Sequence, residues 1–268
     1  MSMKKILVFV NFIEASQRAV DQAIAFGHLH GADIFISHIS DGKSDLEKLK
    51  SDLQLYVNKV KGADLNADLI VEEGSFFETA TKIANRINPD LVVVGTRGAE
   101  GFDMGLRGSA IYKLVSEMPF SSLVLPTNSV VTEKGFKKIL LPVSPHPNFL
   151  KKVSETRKVL ATDGEIVVLT VLRTGIELDE DTKANLEATK AYLDQNQVKS
   201  SVLEFERENK SHGYAQITLK KVKEAGMDLV SIISNVSERN KHFGKMEKED
   251  VLLNEEGIPV FCVNTATD

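Results

Sequence analysis

Along the chain, short apolar runs alternate with longer stretches in which apolar residues return every three or four positions. Five runs in the first half (residues 6–10, 34–39, 67–71, 91–94 and 123–125) are near-continuous in Ile, Val and Leu. Such runs suit strands of a parallel sheet covered on both faces. Between them, "EASQRAVDQAIAFGHLHG" sets Ala19, Ala23, Ile24 and Leu29 along one helical face, and "SFFETATKIANRI" does the same with Phe76, Ala80, Ile83 and Ile87. Strand–helix alternation through five strands predicts a doubly wound α/β unit with right-handed crossovers. Ligands of such sheets sit at the carboxyl ends of strands, where the strand order reverses.

The pattern then repeats. "KKILVFVN" at Lys4 returns as "KKILLPVS" at Lys137, "GADIFISHI" as "DGEIVVLTVL", "NPDLVVVG" as "GMDLVSIIS" and "MPFSSLVLP" as "GIPVFCVN". Order and spacing agree, so two homologous domains are expected, residues 1–128 and 136–268, each a five-stranded, mainly parallel sheet with helices on both faces. The polar segment "TNSVVTEKG" joins them.

Composition narrows the class. Of 268 residues, 42% are hydrophobic and 26% charged, the mix of a globular protein. A net charge of −5 gives no electrostatic case for nucleic acid. No apolar segment approaches the ~20 residues of a membrane span, so no membrane partner is expected. The lysines before the first apolar run read as a strand start and not as a leader. The single cysteine, Cys262, reads as a small core residue and fits a reducing compartment, so the cytoplasm is expected. His28 and His30 lie two apart on a helix and do not share a face, which argues against a metal pair. His38, at a strand end, reads as a packed or hydrogen-bonded residue. The acidic run "ELDEDTK" reads as a solvated helix start.

Chemistry concentrates at one strand exit. In "VVVGTRGAEGFDMGLRGSAIYKLVSE" four glycines fall from Gly98 to Gly108, ahead of a helix with Ile111, Leu114 and Val115 on its inner face. Ser109 stands where a helix N-cap would stand. Free N–H groups, a helix dipole and a hydroxyl converge there as an anion site. Arg97 and Arg107 could add phosphate contacts or simply be solvated. The Walker-type G-x-x-x-x-G-K-[ST] is missing, and so is G-x-G-x-x-G after the first strand.

The spacing Gly95, Gly98, Gly108, Ser109 resembles G-x2-G-x9-G-[ST], the nucleotide motif of the universal stress protein family. With the five-strand order, the resemblance extends over the chain as a tandem of two such domains. It implies ATP as ligand, with Mg²⁺ as an optional companion, held by Asn11, Ile39, Gly95, Gly98, Gly108, Ser109 and Ala110. Ile39 would meet adenine. Asn11 replaces the Asp that contacts ribose in ATP-binding members, and its alternative role is a turn residue capping the next helix. In the second half Ser234 falls at the first glycine position and Gly244 is the only glycine before the next helix, so that site is expected to be degenerate and its job structural, with an unrelated ligand or partner site as the second option. The two domains would pack through their last strands as an intrachain pseudo-dimer, with a homodimer as a further option.

No nucleophile with a base and its orienter stands out. A nucleotide-responsive stress or regulatory protein is the favoured expectation. A slow ATPase at the same site, or an interaction module without nucleotide, are the alternatives.

Overall fold

The computed structural model describes residues 2–42, 45–96, 109–173, 175, 177–207, 213–235 and 244–265. Its first unit runs β1 (Lys5–Phe9), α1 (Glu14–His30), β2 (Asp33–Ser40), α2 (Leu46–Lys61), β3 (Ala67–Glu73), α3 (Phe76–Ile87), β4 (Leu91–Thr96), α4 (Ser109–Glu117) and β5 (Ser122–Pro126). Its second runs β6 (Phe136–Pro142), α5 (Phe149–Arg157), β7 (Leu160–Arg173), α6 (Glu180–Gln195), β8 (Lys199–Arg207), α7 (Tyr214–Glu224), β9 (Leu229–Ile233), α8 (Lys245–Leu252) and β10 (Val260–Val263). The apolar runs became strands, and those at the centre of the sheet are covered on both faces. β4 and β9 are buried at every position.

The ten strands form one sheet in the order β3-β2-β1-β4-β5-β10-β9-β6-β7-β8. All pairings inside a unit are parallel, and β5 meets β10 antiparallel, with Val124 opposite Val260. The last strands thus join the two units. Apolar side chains of α1 and α2 pack on one face of the sheet, and those of α3, α4, α7 and α8 on the other. Asn264, just past β10, donates to the carbonyls of Ser116 and Met118 (2.9 and 2.7 Å), closing the end of α4 from the other unit. Cys262 is buried in β10.

The predicted face of α1 differs at one end. Ala19 and Ala23 are fully buried, but Leu29 is 38% exposed. Val20 and Phe26 complete the stripe instead, since Gly31 turns left-handed (φ 69°) and ends the helix just beyond Leu29. In the second unit Asp179 caps α6, accepting the N–H of Thr182 at 2.8 Å. That is the helix start read from the acidic run. Among the described residues no helix is long and apolar enough to cross a membrane.

Candidate functional site

β1 lies between β2 and β4, so the strand order reverses at β1 and a crevice opens beyond its carboxyl end. The last backbone bond from this side is Val10 N–H to Ser37 C=O at 2.9 Å. Ser40 C=O accepts from Gly74, on the β3 side. A strand alternates its backbone groups, so Ile39 turns its N–H and C=O to the side of Ser37, where β1 has ended. Its side chain is buried in the core with Phe9 and Ile83. Any ligand contact there is therefore made by backbone.

Asn11 follows the strand. Its N–H donates to Ser16 Oγ (3.0 Å), and Ser16 Oγ donates to Asn11 Oδ1 (2.7 Å). Ile13, not Asn11, holds the cap position of α1. The amide nitrogen, Nδ2, is buried with no hydrogen-bond partner among the described residues. The next residue, Phe12, has φ 62° and rests its ring against His38 and Tyr56, at 5.3 and 6.5 Å between centroids. His38 donates from Nδ1 to Val10 C=O at 2.7 Å. Burial holds its pKa below the ordinary 6.5, against the pull of that bond. It is the packed, hydrogen-bonded residue expected from the sequence.

Gly95 sits in β4 under the first turn of α1. A Cβ there would fall on the Ala15 carbonyl, far inside contact distance. The helix can lie this close only on a bare backbone. This packing role was not visible in the motif. Ser109 is the first residue of α4, one place inside the expected N-cap, which is within the scatter of helix ends. Ala110 is buried behind it. Gly98 and Gly108, with Arg97 and Arg107, lie outside the described residues.

The second unit corrects one correspondence. Asp90 Oδ2 accepts the N–H groups of Lys4 and Lys5, and Asp228 Oδ2 accepts those of Lys137 and Lys138. With Ile6 opposite Leu91 and Ile139 opposite Leu229, the first glycine position falls on Ile233, not on Ser234. Pattern matching had slipped by one residue, because serine resembles a small loop residue and isoleucine does not. Ile233 fits because α5 starts two residues later in the repeat than α1. Beside it, at the carboxyl ends of β6, β7 and β9, lies a cleft of about 480 Å³.

Three basic side chains that the sequence reading passed over cluster here. Lys152 is 2% exposed and donates to Pro142 C=O at 2.7 Å. Lys248, equally buried, donates to the carbonyls of Asn235 and Ser234. His146 accepts the Asn148 N–H on Nδ1 (3.3 Å) and presents Nε2 to Thr265 Oγ1 (3.3 Å). A signal existed. Lys152 shares a helical stripe with Phe149, Val153 and Thr156, and Lys248 one with Val251 and Leu252.

Burial first, then Lys248 and Lys152, lower the His146 pKa from 6.5 to about 4. The unfolded chain therefore takes up this proton first as pH falls, and stability is lost between pH 6.5 and about 4. His146→Gln should show a shallower decline of melting temperature over that window than the wild type. Equal slopes would contradict a neutral buried imidazole.

Residues 3–126 match the family model described as "Universal stress protein family". The fold of the whole chain is similar to that of a universal stress protein from Archaeoglobus fulgidus, with a TM-score of 0.74 at 16% identity over 97% of this chain and 96% of that one. It is also similar to a protein of unknown function from Pseudomonas aeruginosa, with a TM-score of 0.64 at 12% identity over 98% and 92%. A comparison with curated protein sequences gave no significant match. Residues 3–126 are thus similar to the universal stress protein family, and the second unit repeats the fold of the first.

Proposed function

We propose that the chain binds one adenine nucleotide, ATP with Mg²⁺, in its first unit, and acts as a nucleotide-responsive regulatory protein without efficient turnover. The observation that carries this reading is a convergence at the end of β1. Ile39 turns a backbone donor and acceptor into the crevice, the pairing that the edge of an adenine ring can meet. Asn11 stands beside it. β4 leads from Gly95 through the glycine motif into the start of α4, whose N-terminal end favours phosphate. The fully buried, lone Cys262 suits a reducing cytoplasm.

Asn11→Asp tests the ribose contact. Ser16 Oγ donates to Oδ1, and Nδ2 is the amide atom without a hydrogen-bond partner among the described residues. An Asp keeps the Ser16 bond and replaces that donor with a charged acceptor, worth ~1–2 kcal/mol more toward a hydroxyl. The phosphates oppose the added charge, less so with Mg²⁺ bound. Mg·ATP binding should tighten by up to about tenfold, ~1.4 kcal/mol, and by less without magnesium. Titration of both proteins, with and without Mg²⁺, measures it. Weaker binding by the Asp variant in both conditions would remove Asn11 from the ribose site.

A further inference from the structure

The cleft of the second unit differs in its chemistry from the crevice at the end of β1. One part of its wall is apolar, formed by Val143, Val171, Leu178, Ile232 and Ile233. Its one buried charge is Lys152, on α5. The ammonium rests over the Phe149 ring at 4.9 Å, and the Pro142 carbonyl is its hydrogen-bond acceptor among the described residues. No carboxylate of the described residues lies within ion-pair distance of Lys152 or Lys248, so neither buried amine has a counter-ion among the described residues. Buried charges are ordinarily paired, because an unpaired one keeps its full desolvation cost.

The cleft has acidic residues as well. Asp179 and Asp181 line it, but both are exposed, and Asp179 spends its two oxygens on the N–H and hydroxyl of Thr182 (2.8 and 2.7 Å). Neither neutralises Lys152. Ile233 stands where the first unit has Gly95, and its side chain forms part of the apolar lining of this cleft. The volume, about 480 Å³, is in the range of small-molecule sites, which are mostly apolar with a few placed polar groups.

We propose that this cleft binds a small amphipathic organic acid, with its carboxylate on Lys152 and its aliphatic body along Val171, Ile232 and Ile233. The carboxylate supplies a counter-ion that the described residues do not and meets the ammonium's N–H groups beyond the one given to Pro142. The tail meets the apolar walls. Burial and the neighbouring Lys248 push the Lys152 pKa well down, and an anion beside the amine favours its charged form.

The test is calorimetric titration of the full chain with octanoate, octanol and octylamine. Octanoate should bind at least tenfold more tightly than octanol, and octylamine should not bind. Lys152→Met keeps the length of the side chain and removes its charge, and should reduce octanoate to the affinity of octanol. Val171→Trp fills the cleft and should abolish both. It also decides the matter should the Met variant not fold, since it leaves the lysine in place. Saturating Mg·ATP should leave octanoate binding unchanged, which separates this site from the nucleotide site. Equal binding of octanol and octanoate, unaltered octanoate binding in Lys152→Met or Val171→Trp, or displacement by ATP would overturn the proposal.

Discussion

Gly95→Ala is expected to lower the melting temperature by roughly 6–12 °C. The added Cβ falls on the backbone carbonyl of Ala15, which cannot rotate away as a side chain can. Either α1 lifts from the sheet or β4 bends, and both disturb a close-packed layer. Overpacking of this kind costs ~1–3 kcal/mol and more where backbone must move. At about 3 kcal/mol, a domain of this size loses roughly 2–4 °C for each kcal/mol. Binding should suffer too. The first turn of α1 carries Ser16, which holds Asn11 at the crevice, so a displaced helix carries Asn11 with it. Thermal unfolding of the variant, followed by circular dichroism, measures the first effect. A melting temperature within 2 °C of the wild type would mean that the close approach of α1 to Gly95 is not real.

Phe136→Ala should cost about 4 kcal/mol, the range for removing a fully buried phenylalanine. Phe136 opens β6, and its ring meets Phe26 of α1 edge-on, with centroids 6.2 Å apart. The contact ties the second unit to a helix of the first. Just ahead of it, the amide of the buried Gln22 accepts the N–H of Thr132 (2.9 Å) and donates to its C=O (3.0 Å). The polar joint read from the sequence is therefore docked on α1. Because that joint and the β5–β10 pairing both bind the halves together, the loss should appear in one shared unfolding transition. Denaturant titration of the full chain decides it. A loss below 1 kcal/mol would show that the ring is not part of the shared core.

Local pattern was enough for the α/β architecture, because strands buried on both faces announce themselves as apolar runs and helices as a 3.6-residue stripe. The union through the last strands followed from the repeat and the resemblance, and β5 opposite β10 bears it out. What stayed hidden needs neighbours distant in sequence. Gly95 looked like a ligand glycine, and its contact with Ala15 is visible only once α1 is laid on β4. Ile233 was assigned one residue out because spacing alone cannot anchor a register, whereas the paired roles of Asp90 and Asp228 can. Lys152 and Lys248 were read past because lysine is ordinarily a surface residue. Their places on apolar stripes were the signal.

The nucleotide claim stands on the first unit alone, and one titration addresses it. Mg·ATP added to the full chain in a calorimeter should give one site per chain. The same titration of Gly108→Val, a position outside the described residues, should give none, because a side chain at the motif's third glycine blocks phosphate from the start of α4. Two sites per chain, no site at all, or an unchanged isotherm for the Val variant would contradict a single nucleotide held at residues 95–109.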